Sequence, residues 1–170
     1  AVGLPDEMYE FPGGEAVINA AGLAAADYDG DGDVDLYVTM GANGPNRLYQ
    51  NQGDGTYVDV ASDAGVDMEH LGAGPTFADY DGDGDLDLFV GAVEGDPTYL
   101  MRNDDGVFTD VTTVSGLVIT RPNTYSVAFG DYDQDGDLDI AMAHWAYSQE
   151  PANTETLWRN NGDGTFENVS

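Results

Sequence analysis

Three acidic blocks contain the residues of this sequence that are best suited to chemistry. Each block spans nine residues with Asp at every second position, and the blocks begin at Asp27, Asp79 and Asp131. Neighbouring carboxylates repel one another, and a hard cation such as calcium, which takes about 6–8 oxygen ligands, removes that repulsion. Alternate Asp residues suit such an ion because a tight loop directs its first, third and fifth side chains towards a common centre. The blocks therefore predict one calcium ion per loop, three in all.

The predicted ligands occupy the same five positions in each block. The Asp residues at positions one, three, five and nine of the block supply carboxylates, and the Asp at position seven supplies its backbone carbonyl. These residues are called below the first, third, fifth, seventh and ninth Asp, after their positions. Gly at the sixth position, as at Gly32, permits the sharp turn. The predicted metal ligands are Asp27, Asp29, Asp31, Asp33 and Asp35 in the first block, Asp79, Asp81, Asp83, Asp85 and Asp87 in the second, and Asp131, Asp133, Asp135, Asp137 and Asp139 in the third.

Other kinds of metal site fit the blocks less well. An EF-hand needs Glu at position 12 and two flanking helices, but that position holds Val38, Val90 and Met142 within apolar segments. Magnesium keeps several waters and requires octahedral geometry, whereas transition metals favour His or Cys, which the blocks lack. An acidic turn without metal is the remaining alternative, and three matching copies disfavour it.

The acidic blocks are part of a longer internal repeat. Their first residues are separated by 52 positions each time, and self-similarity at a fixed period indicates a repeat architecture. The third copy contains five extra residues, which we place in a surface loop within residues 148–156. Each block is followed by a segment ending in Asn and then by a segment with an aromatic residue; these residues are Asn51 and Tyr57, Asn103 and Phe108, and Asn160 and Phe166.

Each copy has the pattern of four short strands and no convincing helix. The first copy predicts strands over 23–26, 36–40, 47–50 and 57–60, and the third over 127–130, 138–143, 157–159 and 165–169. Four strands in about 50 residues are typical of a propeller blade. The sequence therefore predicts an all-β chain of three four-stranded antiparallel blades in an incomplete ring or open array, with a lead-in segment over 1–22 and blades over 23–74, 75–126 and 127–170.

The repeated pattern resembles the FG-GAP/VCBS family of calcium-binding repeats. Asp-x-Asp-x-Asp-Gly-x-x-Asp follows Phe77-Ala78 or Phe129-Gly130, and Leu48-Tyr49-Gln50-Asn51 and Gly-Asp-Gly-Thr-aromatic segments come after it. The pattern is similar to that of the blades of integrin α-subunit propellers. Its spacing is similar to that of the ASPIC/UnbV-type repeats of cartilage acidic proteins. This resemblance implies a β-propeller, calcium in the loop between the first two strands of each blade, and an extracellular or cell-surface, secreted setting.

Two features of the sequence depart from the family pattern. The first copy has Ala25-Ala26 where the family prefers Phe-Gly, so we expect that strand to pack less well. Family propellers usually have seven blades, whereas this sequence contains three. Three blades cannot close an ordinary propeller, which needs about 4–8. We therefore expect either part of a longer propeller or an array that other chains complete.

The charge and composition exclude several classes of function. The chain has 33 acidic and 4 basic residues, a net charge of −29, whereas nucleic-acid binding needs clustered Lys and Arg. The same charge disfavours docking on anionic lipid, and no apolar run is long enough to insert into a membrane. The absence of Cys excludes disulfides and thiolate sites. No leader precedes Leu4, so we expect a mature protein or a part of a longer one.

The sequence contains no catalytic constellation. His70 and His144 lie in different copies, without a Ser-His-Asp arrangement, and we expect both to have packing or surface roles. We interpret the Tyr at the second position of each block and the aromatic residue near each copy's end as packing residues. A sugar-binding floor is the alternative for three aromatics of the third copy. The packing set is Tyr28, Tyr80, Tyr132, Tyr57, Phe108 and Phe166, and the alternative floor comprises Trp145, Tyr147 and Trp158.

These observations predict a non-catalytic, calcium-binding extracellular module for adhesion, protein–protein interaction or assembly. A carbohydrate-binding propeller and the scaffold of a larger secreted enzyme are the two alternatives. We expect the partner to be a protein, or another copy of the chain docked on an unclosed blade face, with a glycan as the alternative partner. Catalytic residues, organic cofactors, nucleic acid and membrane insertion are not expected.

Overall fold

A computed structural model describes residues 22–119, 123–144 and 155–170, which form three four-stranded antiparallel sheets. Strands that are consecutive in the chain pair with each other within each sheet, as the prediction of an open propeller-like array requires. The strands are β1 (Gly22–Ala26), β2 (Asp35–Thr39), β3 (Arg47–Asn51) and β4 (Tyr57–Asp59) in the first sheet, β5 (Gly72–Ala78), β6 (Asp87–Ala92), β7 (Tyr99–Asp104) and β8 (Val107–Asp110) in the second, and β9 (Thr124–Gly130), β10 (Asp139–His144), β11 (Glu155–Asn160) and β12 (Phe166–Asn168) in the third.

Most strand bounds agree with the prediction to within one or two residues, and the largest differences are at β9 and at two short helical turns. Strand β9 begins at Thr124, before the predicted 127–130, because Thr124 and Ser126 also pair with β10. The structure also contains one turn of helix, α1 (Ala61–Ala64), and a short 3₁₀ turn (Gly41–Asn43) where the sequence analysis predicted no helix. Helix α1 places Ala61 and Ala64 in the core between the first and second sheets, so a packing requirement overrides the weak local signal.

The sheets pack face to face, and β6 is the central strand of the array. All six residues of β6 are buried. Because side chains alternate along a strand, Leu88 and Val90 pack with the first sheet, whereas Phe89 packs with the third. The two junctions that result are the core of the protein. The first junction also contains Tyr37, Leu48 and Met101, and the second also contains Leu100, Ile140, Met142 and Trp158.

The first strands of the three sheets lie side by side, β1 against β5 and β5 against β9. Two glycines of the second sheet, Gly74 on β5 and Gly91 on β6, allow β9 to approach closely. A Cβ atom at Gly74 would collide with the carbonyl oxygen of Tyr125, and one at Gly91 would collide with that of Thr124. Backbone segments can approach this closely only where a side chain is absent. No helix among the described residues could cross a membrane.

The three basic residues in the described part of the chain lie on the third strands of the sheets and form ion pairs. Arg47 pairs with Asp59 at 2.6 Å, Arg102 with Asp104 at 2.8 Å, and Arg159 with Glu167 at 2.8 Å. Each pair is partly exposed, so solvent screens it and it contributes little to stability. The surface that remains is strongly anionic.

Several sequence predictions lie outside the described residues. These are most of the lead-in segment over 1–22, most of the extra loop within 148–156, and the aromatic residues Trp145 and Tyr147.

Candidate metal centres

Each acidic block forms the loop between the first and second strands of its sheet. The sixth position of each loop has a positive φ, 96° at Gly32, 103° at Gly84 and 104° at Gly136. Glycine adopts this conformation without steric cost, which explains its place in the motif. The predicted sharp turn is therefore present in all three loops.

The first, third and ninth carboxylates of each loop converge. One carboxylate oxygen from each residue lies within 4.8 Å of the others, and this arrangement occurs three times in the part of the chain that the structure describes. Sets composed only of oxygen donors suit hard cations such as calcium. The three clusters are Asp27, Asp29 and Asp35; Asp79, Asp81 and Asp87; and Asp131, Asp133 and Asp139.

The ninth Asp anchors each cluster to its sheet. It is the first residue of the second strand, and in all three copies at most 1% of it is exposed. In the second loop, Asp87 Oδ1 accepts a hydrogen bond from the Asn103 backbone at 2.9 Å, and Oδ2 accepts one from the Tyr80 backbone at 3.0 Å. Asp35 and Asp139 accept the equivalent pairs of bonds. The sheet thus fixes one carboxylate, and the loop brings the other two to it.

The fifth and seventh Asp have different partners. Asp83 Oδ1 accepts a hydrogen bond from the Asp85 backbone at 2.9 Å, and the fifth Asp of the other loops bonds in the same way, so it caps its own loop. Asp85 Oδ2 accepts a bond from the Asp105 backbone in the β7–β8 hairpin at 3.0 Å. The structure therefore brings three of the five predicted ligands together in each loop. The fifth carboxylates lie outside the clusters, and the backbone role predicted for the seventh residue stays a prediction.

Burial and crowding make these clusters electrostatically costly. Loss of solvent raises the pKa of Asp87 to about 7, and repulsion from Asp81 and Asp83 adds to this shift, although the two backbone hydrogen bonds oppose it. The pKa of Asp35 is raised by the same main cause. In the first loop, Asp27 Oδ1 is buried and has no hydrogen-bond partner among the described residues. A bound divalent cation would relieve the repulsion and satisfy this oxygen, so the residues present fit calcium.

A recurrent contact, here called the clasp, joins each acidic loop to the next sheet. Asn103 Nδ2 donates a hydrogen bond to the Tyr28 carbonyl, and Asn160 Nδ2 donates one to the Tyr80 carbonyl, both at 2.9 Å. The Tyr28 ring also packs on Phe108, with ring centroids 5.8 Å apart, and the Tyr80 ring packs on Phe166 at 5.6 Å. In the sequence, these Asn residues were recognised only as markers of the repeat. The signal for their role was an Asn that recurs at or next to the end of the third strand of each copy.

The clasp explains why the predicted packing role of the loop tyrosines is confirmed in two copies and wrong in one. Tyr28 is 6% exposed and Tyr80 is 4% exposed, but Tyr132 is 48% exposed. No further sheet covers the third loop within the described residues. Of the other predicted core aromatics, Phe108 and Phe166 are buried against the loop of the preceding sheet, whereas Tyr57 on the first sheet is half-buried and has no preceding sheet among the described residues.

Trp158 is not placed to form the floor of a sugar site. It is 5% exposed and packs in the core between the second and third sheets. A sugar platform requires an exposed ring face, so the structure corrects this part of the alternative prediction. Trp158 occupies the repeat position of Met101, which is also buried.

The two histidines have packing roles, as predicted. His70 is buried, and its ring lies edge-on to Tyr99 with centroids 5.2 Å apart. His144, the last residue of β10, is also buried, and its ring nitrogens lie 3.1 Å from the Thr124 hydroxyl and 2.9 Å from the Thr156 hydroxyl. Neither histidine belongs to an acidic cluster.

Comparison with solved structures supports the propeller-like fold. The chain is similar to an Agrocybe aegerita lectin that recognises non-reducing terminal N-acetylglucosamine, with a TM-score of 0.52 and 20% sequence identity. The match covers 88% of this chain and 37% of the lectin chain. At this level of identity, the likeness concerns the fold alone.

Comparison of sequences identifies relatives and a family. The chain is 34% identical to cartilage acidic protein 1 of Mus musculus over 132 residues and 35% identical to the Homo sapiens protein over 134 residues. Each match covers 75% of this chain and 20% of the relative, so the chain spans about a fifth of the length of these proteins. The FG-GAP-like repeat matches residues 27–90 and again residues 79–142, which together include all three acidic loops. The chain belongs to the FG-GAP-like repeat family.

Proposed function

We propose that the chain is a non-catalytic calcium-binding module in which each acidic loop holds one calcium ion and the sheets present surfaces for adhesion or assembly. The observation that carries this proposal is the same three-carboxylate cluster at the same place in all three sheets. The partnerless buried oxygen of Asp27 supports it independently. We further propose an extracellular setting, because we expect Kd values of about 10⁻⁴–10⁻³ M, which is the range of extracellular calcium-binding modules.

The proposed ion has a structural role. In the second sheet, Asp79 and Asp81 come from the loop, whereas Asp87 begins β6 and also accepts a hydrogen bond from the β7 backbone at Asn103. A cation shared by these carboxylates therefore ties the loop to two strands. Because the Tyr80 carbonyl in the same loop accepts the clasp from Asn160, the ion also supports the junction with the next sheet.

Calcium titration by isothermal calorimetry tests the proposal. We expect three ions per chain, and two after Asp29→Asn, which removes one cluster carboxylate. Asp83→Ala should weaken the second site less than Asp81→Ala does, because Asp83 lies outside the cluster.

The matched control is Asp63→Asn, which makes the same charge change on helix α1, away from every cluster. This variant should still bind three ions. Absence of binding at millimolar calcium, or a stoichiometry that Asp29→Asn leaves unchanged, would contradict the proposal.

A carbohydrate-binding role is the second candidate, and the fold likeness to a lectin is the observation that favours it. Since Trp158 is buried, an aromatic platform would have to use other residues, with Trp145 the first to test. Binding on a glycan array that Trp145→Ala abolishes would favour this candidate. Turnover by a longer parent protein, but not by this segment, would instead favour an enzyme scaffold.

A further inference from the structure

One position on the third strand of each sheet holds Gln in the first copy and Arg in the other two. It comes directly before the Asn of the clasp, and its residues are Gln50 on β3, Arg102 on β7 and Arg159 on β11. The three cluster carboxylates are the same in every copy. A difference between the proposed calcium sites therefore has to come from side chains outside the clusters, and this position supplies one.

In the first sheet, this position holds a cluster carboxylate in place. Gln50 Nε2 donates a hydrogen bond to Asp29 Oδ2 at 2.5 Å, and Asp29 is one of the three converging residues. Gln52 Nε2 donates to Gln50 Oε1 at 3.2 Å, which leaves the Gln50 amide nitrogen directed at Asp29. Gln50 is neutral, so it orients the carboxylate without cancelling its charge. A ligand that is oriented before the ion arrives loses less conformational freedom on binding.

In the second sheet, the same position brings a positive charge to the cluster. Arg102 lines a groove of about 400 Å³ together with Asp81 and Asp83. Asp81 is the cluster residue equivalent to Asp29. Loss of solvent and the charge of Asp83 raise the pKa of Asp81, whereas the Arg102 guanidinium opposes this shift. A guanidinium that favours the anionic form of Asp81 also repels a divalent cation at the same carboxylate.

In the third sheet, the neighbouring strand holds the Arg side chain. Arg159 pairs with Glu167 at 2.8 Å, and Glu167 is its direct cross-strand neighbour on β12. The residue across from Arg102 is Thr109, which carries no charge. Strand β12 lies on the side of β11 opposite to β10, the strand into which the acidic loop leads. Because opposite charges on neighbouring strands attract each other, Glu167 draws the Arg159 guanidinium away from the cluster.

We propose that the residue at this third-strand position sets the calcium affinity of its site, so that the first site fills at lower calcium than the second. Gln50 strengthens the first site by orienting Asp29, and Arg102 weakens the second by placing a positive charge beside Asp81. This inference rests on the proposed function, because it assigns affinities to the same ions. We expect the Kd of the second site to be about threefold higher than that of the first. A threefold ratio corresponds to about 0.6 kcal/mol, so the sites still stabilise the fold to a similar extent.

Calcium titration followed by NMR measures the three sites separately. The backbone amides of Gly32, Gly84 and Gly136 each donate a hydrogen bond to the first Asp of their own cluster. The chemical shift of each amide should therefore respond when that carboxylate binds an ion. We expect the Gly32 signal to reach its midpoint at about one third of the calcium concentration that Gly84 requires.

Two reciprocal variants test the assignment. Arg102→Gln should tighten the second site by about threefold, and Gln50→Arg should weaken the first site by a similar factor. The other two copies have Arg at this position, so Gln50→Arg should retain the fold. Arg102→Gln is the decisive variant, because damage to the structure would lower the affinity of the site instead of raising it.

Arg159→Gln is the matched control. It makes the same charge change at the same repeat position, and the two Arg side chains are 40% and 41% exposed. Because Glu167 holds Arg159, this variant should leave all three midpoints nearly unchanged. A third site that tightens as much in Arg159→Gln as the second does in Arg102→Gln would overturn the proposal, since the partner of the Arg would then not matter.

Equal midpoints at Gly32 and Gly84, or an Arg102→Gln variant with an unchanged Gly84 midpoint, would also overturn it. The same titration separates the two proposals. Three ions bound with one common affinity would refute the difference between sites and leave the proposed function intact. Glycine signals that do not respond to millimolar calcium would refute the proposed function itself.

Discussion

The second and third acidic loops have almost the same sequence but different surroundings. Both have a buried ninth Asp, Asp87 or Asp139, that accepts hydrogen bonds from its own loop and from the third strand. The second loop is covered by the third sheet, which buries Tyr80, whereas Tyr132 in the third loop is half exposed. The internal geometry of a loop thus depends on its own nine residues and on residues close to them in the chain. The burial of the loop depends on a sheet whose residues come about one repeat later.

The two loops differ in which contributions to stability they have, the carboxylate cluster within the loop or the contact with the next sheet. The cluster of carboxylates recurs in every copy, whether or not the next sheet is present. The clasp and the ring contact occur at the two junctions between the sheets that the structure describes. We therefore expect changes to the clusters to lower the free energy of unfolding by a similar amount in every copy. Changes to the clasp should lower it only where the next sheet covers the loop.

Removal of calcium should have the largest effect. At a free calcium concentration about tenfold above Kd, each site adds about 1.4 kcal/mol to the free energy of unfolding, or about 4 kcal/mol for three sites. Thermal melting with and without excess chelator measures the change. Asp81→Asn and Asp133→Asn should each remove a similar share, because the cluster does not depend on cover. An unchanged melting temperature in chelator would disprove the structural role of calcium.

Truncation of the loop tyrosines should give the next largest effect and the strongest asymmetry. Tyr80→Ala removes a buried ring that packs on Phe166 and should lower the free energy of unfolding by about 3 kcal/mol. Tyr132→Ala changes an exposed ring and should cost about 0.5 kcal/mol or less in the monomer. Urea denaturation in calcium at low protein concentration measures both. Equal losses would show that cover by the next sheet does not distinguish the two loops.

The clasp itself should have an intermediate effect. Asn103→Ala leaves the Tyr28 and Leu86 carbonyls without their donor and should cost about 2 kcal/mol. Asn51→Ala is the control, because Asn51 bonds its own loop at Val34 and has no preceding loop to hold among the described residues. It should cost about 1 kcal/mol. The same urea experiment applies, and a cost at Asn51 that matches the cost at Asn103 would refute the clasp.

The smallest effect should be an acid sensitivity of the first junction, where His70 packs on Tyr99. Burial lowers the pKa of His70 below 6.5, although Asp96 opposes the shift. The unfolded chain therefore binds the proton more readily. The contribution of neutral His70 to stability is complete above pH 6.5 and is lost as the pH falls through the folded-state pKa. NMR titration of the imidazole measures this pKa, and a value at or above 6.5 would contradict the prediction.

His70→Gln tests whether the same group affects stability. Its free energy of unfolding should fall less steeply than that of the unmodified chain between pH 6.5 and 5. Parallel pH profiles for the two proteins would show that His70 does not contribute to this slope.

The sequence was sufficient to predict the strands, the sharp turns and the location of the clusters, because each depends on residues close together in the chain. Alternating apolar residues specify strands such as β2 and β10, and Gly at the sixth position of each loop specifies the turn. The spacing also places the fifth Asp among the ligands, but it does not show which way that side chain turns. In the structure, Asp83 accepts a hydrogen bond from the Asp85 backbone and lies outside the cluster, and its role as a ligand stays a prediction.

The contacts between sheets could not be predicted in the same way. The exposure of Tyr132 depends on a sheet that would follow it, and the burial of Trp158 depends on the facing surface of the second sheet. The burial of Trp158 could have been predicted by aligning the repeats. Trp158 occupies the same repeat position as Met101, which is buried in the first junction. The roles of Asn103 and Asn160 required the carbonyls that accept their hydrogen bonds to be located in space.

The span of the clasp along the chain has a consequence for how the protein folds. The bond from Asn103 to Tyr28 closes 75 residues, and that from Asn160 to Tyr80 closes 80. Neither bond can form until both of its sheets have formed, so each sheet gains stability from its neighbours, as in a one-dimensional chain of coupled units. Among the residues that the structure describes, the second sheet has two neighbours and the first and third sheets have one each. Local opening should therefore begin at the ends of the array, and the second sheet should be the last to exchange its amide hydrogens with solvent.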